Sequence, residues 1–93
     1  MIPTLTELAN KYNTDKGTTY KGPTAHGYTE AYEKLFEPLR DLPINLLEIG
    51  VVMEGTVGGH SLRMWYEYFQ NAKIYAFDIL DAKRFENNRV TTC

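Results

Sequence analysis

The stretch that most constrains this chain is Ile44–Trp65, INLLEIGVVMEGTVGGHSLRMW. It opens as a continuous apolar run after Pro43 and reaches a carboxylate at Glu48. Glycines at 50, 55, 58 and 59 follow, and Ser61 then opens an amphipathic segment. A strand of a parallel sheet reads as an unbroken apolar run because helices cover both of its faces. The glycines allow close backbone approach and positive φ, where a Cβ would cost about 1–2 kcal/mol. Short apolar run, acidic end, glycine loop and helix together make the strand–helix unit of a nucleotide-cofactor fold.

The rest of the chain is placed around that unit. Thr4 and Glu7 have capping-box spacing, which predicts a helix from Leu5 to about Tyr12 with Leu5, Leu8, Ala9 and Tyr12 inward. Residues 13–27, NTDKGTTYKGPTAHG, read as a long polar loop of the kind usually kept for function. Thr29 is the expected N-cap of a second helix with Ala31, Tyr32, Leu35, Phe36 and Leu39 on one face. Pro38 should kink or end it near Phe36, since its ring clashes with the preceding turn. A first strand is expected over Ile44–Ile49. Ser61 is expected to cap a third helix, whose buried stripe is Leu62, Trp65, Tyr66 and Phe69 and whose end is Gln70-Asn71. Ile74–Ile79 then reads as a second buried strand with Asp78 near its end, parallel to the first through a right-handed crossover. Residues 80–88 read as a loop or one helical turn, and Arg89 onward as the start of a third strand.

Composition narrows the class. Ninety-three residues make one domain at most, and 43% hydrophobic residues can build a core. Ten basic and 12 acidic residues are well mixed, with no basic stripe, which argues against nucleic acid as a partner. No apolar run nears the roughly 18 residues that span a bilayer, which argues against a membrane partner. The N-terminus lacks a signal-peptide pattern and the single cysteine, Cys93, has no internal disulfide partner, so a cytoplasmic protein is expected.

In open parallel sheets ligands sit beyond the carboxyl ends of the strands, so Glu48 and Asp78 should face one site. Asp78 can accept hydrogen bonds from two ribose hydroxyls; the plainer alternative is that it caps the following turn. Glu48 can bind a cationic amine, directly or through water, or be merely a solvated strand end. The helix start at Ser61 offers free N–H groups to a carboxylate, or is simple capping. Gly50–Thr56 has the glycine spacing of a phosphate-binding loop, but no lysine follows Gly55, and GxGxxG is missing, so ATP hydrolysis and nicotinamide binding are poor fits. Asp15 and His26 share the long loop without further metal-spaced ligands, and no catalytic triad can be defended from spacing.

LANKYNTDKG, HGYTEAYEKLFEPLRD, INLLEIG, SLRMW and IYAFDI, in this order, resemble the class I S-adenosylmethionine-dependent O-methyltransferases of the macrolide and aminocoumarin sugar-modifying type. The resemblance implies an α/β fold: a truncated Rossmann-like parallel sheet of the first two to three strands, behind N-terminal helices. Residues 1–43 would be a helical lead-in and residues 44–93 the start of the sheet. It also implies that Glu48 and Gly50 lie near the methionine part of the cofactor and that Asp78 holds the ribose. Asp15, Lys16, His26 and Tyr28 would lie over the pocket. Three departures stand out: a longer glycine loop around Glu54–Gly58, a longer loop between Gly17 and His26, and a chain that stops at RVTTC. The family's magnesium-binding acids and catalytic base fall beyond that point, so Mg2+ ligands and a catalytic residue are not expected within these residues. In this class the first strand lies in the middle of the sheet, next to a fourth absent here, so Ile44–Ile49 should be an open apolar edge prone to self-association or to a partner chain. The 93 residues alone should not methylate. The rival reading is a non-catalytic module: a stand-alone cofactor binder, a subunit completed by another chain, or a decayed remnant.

Overall fold

A computed structural model describes residues 2–14, 16–18, 27–51 and 59–92. Helices α1 (Leu5–Lys11), α2 (Thr29–Phe36) and α3 (His60–Tyr68) accompany strands β1 (Asn45–Ile49), β2 (Lys73–Phe77) and β3 (Val90–Thr92). The strands form one parallel sheet in the order β1-β2-β3, which puts β1 at an edge as expected. Among the described residues no helix is long and apolar enough to cross a membrane.

Helix α1 starts where the capping box places it: Thr4 Oγ1 accepts from Glu7 N at 3.1 Å, and Glu7 Oε1 accepts from Thr4 N at 2.9 Å. Its Leu5, Leu8 and Ala9 are fully buried. Helix α2 departs from expectation. Tyr28, not Thr29, is the N-cap, and it makes no side-chain capping bond. Thr29 is fully buried, and its Oγ1 accepts from Thr6 Oγ1 at 2.9 Å. The inward stripe runs through Thr29, Tyr32, Glu33 and Phe36, while Ala31, Leu35 and Leu39 face solvent. Glu33 faces inward because both its oxygens are used: one accepts from the free Leu5 N at the start of α1 (3.0 Å), the other from the Tyr68 hydroxyl. Burial and the Glu33 carboxylate together push the Tyr68 phenol well above its usual range. Pro38 acts as expected: α2 ends at Phe36 and passes into a 3-10 turn over Glu37–Leu39.

The core is an aromatic wedge between α2 and α3. Phe36 meets Trp65 and Phe69 edge-on, each at 5.8 Å between ring centres, and Tyr68 meets Phe69 at 4.8 Å. On α3 the buried set is broader than the predicted stripe: Ser61, Leu62, Met64, Trp65 and Tyr68, with Phe69 behind them, whereas Tyr66 is half-buried.

The sheet corrects one expectation. β1 has Leu46 half-buried and Glu48 buried on the side α3 covers, where Ile74, Ala76 and Val90 complete the surface. The opposite face is not covered by any described element: Leu47 is 59% exposed, Ile49 71% and Phe77 45%. The apolar run of β1 signalled two buried faces, and only one is buried here. β2 also stops at Phe77, so Asp78 and the exposed Ile79 follow the strand rather than lying in it.

Candidate functional site

Three backbone features set the site at the carboxyl ends of β1 and β2. Glu48 stands opposite Ala76, Ile49 opposite Phe77, and Gly50 N donates to Phe77 O at 2.8 Å. That bond sets Gly50 beside the residue preceding Asp78. Gly50 has φ of +81° with open space where a Cβ would be, so its strain would be purely conformational. The loop that leaves Val51 is closed at its base by Gly59 N donating to Val51 O at 3.2 Å.

Glu48 is the centre. Alternation along β1 turns its side chain under α3, where only 9% of the residue stays exposed. Oε2 accepts from Ser61 Oγ at 2.5 Å and lies 3.5 Å from Lys16 Nζ. Oε1 is buried and accepts no hydrogen bond from any described residue. Burial raises the Glu48 carboxyl above its ordinary value, and Ser61, Lys16 and Trp65 pull the other way without cancelling it. A buried acceptor left without a donor costs about 1–3 kcal/mol, more when charged, so this oxygen is an opening for a cationic or hydrogen-bonding group.

Ser61 therefore has a different task from the one its sequence position implies. The N-cap of α3 is Gly59, in the left-handed region at φ +70°, with no side-chain cap. Ser61 is the second residue of α3, buried, and spends its hydroxyl on Glu48. The first N–H groups of α3 thus lack a side-chain acceptor at the N-cap, which leaves the positive end of the helix dipole beside the glutamate.

Lys16 reaches Glu48 from a distant part of the sequence. Thr14 N donates to Ala9 O at 3.1 Å and Lys16 N to Thr14 Oγ1 at 3.3 Å, which folds the segment against the end of α1. Asn10 clamps it further, accepting from Thr18 N at 2.9 Å and donating to Thr18 Oγ1 at 3.0 Å. Thr29 N then donates to Lys16 O at 3.1 Å, tying this turn to the start of α2. Tyr28 is next to that tie, 41% exposed, its ring 5.6 Å from Tyr32. The Lys16–Glu48 ion pair was not legible from motif spacing, because 31 intervening residues carry no periodic signal for it. Asp15, His26, the extended loop between Gly17 and His26 (Gly17 and Thr18 apart) and the insertion around Glu54–Gly58 lie outside the described residues.

Asp78 is half-buried, and its Oδ1 accepts from Leu80 N at 2.8 Å. Asp78 therefore does cap the following turn, as the plainer alternative had it. Among the described residues no three acids, histidines or cysteines lie together as metal ligands. A separate cavity of about 650 Å³ lies between α3 and residues 84–90, lined by Arg63, Tyr66, Glu67, Arg84 and Phe85 among others; none of Lys16, Tyr28, Glu48, Gly50, Ser61 or Asp78 lines it.

No family model matches the chain. It is 40% identical over 93 residues to the 8-demethyl-8-alpha-L-rhamnosyl tetracenomycin-C 2'-O-methyltransferase of Streptomyces olivaceus, covering 98% of this chain and 23% of that protein. It is 36% identical over 92 residues to the demethylmacrocin O-methyltransferase of Streptomyces fradiae, covering 97% of this chain and 22% of that one. Among solved structures it resembles the MycE methyltransferase from the mycinamycin biosynthetic pathway, in complex with Mg, SAH and mycinamycin VI. That match has a TM-score of 0.84 and 34% identity, over 98% of this chain and 24% of that one. The likeness to sugar O-methyltransferases read from the motifs therefore holds in sequence and in fold. The chain spans less than a quarter of the relatives' length.

Proposed function

We propose that this chain, related to a stretch of the sugar O-methyltransferases, is the cofactor-facing part of an S-adenosylmethionine-dependent O-methyltransferase domain. Residues 1–43 are its helical lead-in and residues 44–93 the start of its Rossmann-like sheet. The observation that carries the reading is the Glu48 carboxylate, buried at the end of β1, with one oxygen held by Ser61 and Lys16 and the other without a donor among the described residues. That free oxygen suits the amino group of the cofactor's methionine part. Ser61 orients the carboxylate and Lys16 balances its charge. Gly50 lets the backbone approach the ligand closely. Asp78, just past the end of β2, is the carboxylate that takes the ribose hydroxyls, and Tyr28 lies over the pocket.

S-adenosylmethionine, when bound, supplies a sulfonium methyl to an acceptor oxygen, and the acceptor is a hydroxyl of a sugar or other small molecule. The task of these residues is to hold and orient, and positioning accounts for much of the acceleration in such transfers. No catalytic base is assigned among them. A cytoplasmic location belongs to the same reading. The exposed apolar face of the sheet favours the variant in which another polypeptide segment completes the domain.

Calorimetric titration with S-adenosylmethionine, S-adenosylhomocysteine, NAD and ATP tests the assignment. The two sulfur ligands should bind more tightly than the other two; tighter NAD or ATP binding, or no discrimination, overturns it. Asp78→Ala should weaken that binding by roughly 2–4 kcal/mol if charge-assisted ribose bonds are lost. Asp81→Ala is the internal control, because Asp81 Oδ1 makes only a similar turn bond, from Lys83 N at 2.9 Å. Equal effects would remove Asp78 from the site.

A further inference from the structure

We infer that the cavity between α3 and the β2–β3 crossover is a second ligand site, separate from the carboxyl ends of the strands, that takes a planar aromatic carboxylate. Its origin is the shape of the crossover. Parallel strands are usually joined through a full α-helix, but residues 78–89 supply only the 3-10 turn Lys83–Phe85. That turn is too short to lie along the nine residues of α3, and about 650 Å³ is left open beside the helix. Small-molecule pockets have volumes of roughly 300–1,000 Å³. The walls are held in place before any ligand arrives. Phe85 packs so closely on the start of α3 that a Cβ on Gly59 would lie 2.6 Å from its ring. The Tyr66 hydroxyl donates to Asn88 Oδ1 at 2.9 Å, and the Arg89 guanidinium ties the other end to the carbonyls of Tyr66, Phe69 and Ala72. A site ordered in advance loses less entropy on binding.

The lining selects the chemistry of the occupant. Tyr66 and Phe85 offer aromatic surface, and the buried Leu62 and Val90 add apolar contact, which suits a flat ring. The charge of the lining is cationic. Arg84 lies over Phe85 at 4.4 Å and Arg89 over Tyr66 at 3.8 Å, and Arg63 joins them from α3. Two carboxylates also line the cavity, but both are engaged. Glu67 Oε1 accepts from the Tyr12 hydroxyl and from Lys11 Nζ at 3.3 Å, and Glu86 Oε2 accepts from Thr92 N at 3.2 Å and Thr92 Oγ1 at 2.7 Å. The Arg63 guanidinium, by contrast, has no hydrogen-bond, ion-pair or ring partner among the described residues. Its planar fork matches a carboxylate through two parallel bonds. A ring against Tyr66 and Phe85 with its carboxylate on Arg63 uses every group that the cavity leaves available. None of Lys16, Glu48, Gly50, Ser61 and Asp78 lines it, so this site and the cofactor assignment rest on different residues and either can fail alone.

The test is an NMR titration of the isotope-labelled chain with 2-naphthoate, and with the uncharged 2-naphthamide as its control. Naphthoate should shift the signals of Arg63, Tyr66 and Phe85 and leave those of Leu47 and Ile49 on the bare sheet face in place. The amide should bind about tenfold more weakly, as loss of a charge-assisted pair implies. Arg63→Gln should weaken naphthoate by about the same tenfold factor with an unchanged melting temperature, because the side chain is exposed and holds no other group. Saturating S-adenosylhomocysteine should not displace naphthoate. Absence of binding, shifts at Leu47 and Ile49 in place of Arg63 and Tyr66, an amide equal to the acid, an Arg63→Gln variant equal to wild type, or displacement by S-adenosylhomocysteine would each overturn the proposal.

Discussion

Arg89→Ala should destabilise this fold by about 3 kcal/mol, more than a half-buried surface arginine normally would. The guanidinium forks across the end of α3: Nη1 donates to Phe69 O at 2.8 Å and Ala72 O at 3.1 Å, and Nη2 to Tyr66 O at 2.7 Å. It also lies 3.8 Å from the centre of the Tyr66 ring. These carbonyls sit at and just past the end of α3, where backbone acceptors lack intrahelical donors. A hydrogen bond from a charged donor contributes about 1.5–3 kcal/mol, and stacking on an aromatic face adds about 0.5–1 kcal/mol. The bonds share one side chain and do not add fully. Ordering an arginine costs about 1.5–2 kcal/mol, and water would reach the carbonyls after truncation, which brings the net to about 3 kcal/mol. Arg89→Lys should recover little, since one ammonium nitrogen cannot span the carbonyls that the two guanidinium nitrogens reach or stack flat on Tyr66, and should lose about 2 kcal/mol. Arg63→Ala, an exposed arginine on the same helix, should change stability by less than about 0.5 kcal/mol. Urea unfolding followed by the fluorescence of Trp65, the chain's one tryptophan, measures all three. A loss under about 1 kcal/mol for Arg89→Ala, or a lysine variant equal to wild type, would show that the fork is incidental to holding α3 on the sheet.

Two other perturbations probe the site itself. Gly59→Ala and Gly50→Ala both place a Cβ at positive φ, worth about 1–2 kcal/mol each. At Gly59 the Cβ would also come within 2.6 Å of the Phe85 ring, whereas at Gly50 it meets nothing within 4 Å, so thermal unfolding should show Gly59→Ala clearly the worse; equal losses would refute the packing of Phe85 on the start of α3. Glu48→Gln tests the buried carboxylate through pH. Because burial raises the folded carboxyl above its unfolded value, the folded state holds the proton more tightly, and stability falls as pH rises from the ordinary carboxylate range through the folded value. The glutamine variant lacks this slope, so its melting temperature minus that of wild type should increase as pH rises toward neutrality; a difference that decreases instead would mean that Lys16 and Ser61 outweigh burial.

What the sequence determined by itself was local or periodic. The Thr4–Glu7 spacing placed the start of α1, Pro38 ended α2, and the apolar runs around Leu46 and Tyr75 gave two parallel strands with Glu48 and Asp78 toward one end. The motif order gave the relationship to sugar O-methyltransferases. Tertiary structure decided matters in which distant groups compete for one partner. Thr29 and Ser61 both have residue types that cap helices, yet each spends its hydroxyl elsewhere, on Thr6 and on Glu48, because each lies on a buried side of its helix where a hydroxyl needs a partner. Glu33 turned inward over Leu35 because the free Leu5 N and the Tyr68 hydroxyl supply donors that no helical periodicity encodes. Lys16 meets Glu48 only because Asn10 and Thr29 fold its turn over the end of β1. The bare face of Leu47, Ile49 and Phe77 has the same origin: an apolar run shows that a strand seeks cover on both sides, but whether a helix lies there is settled only in three dimensions.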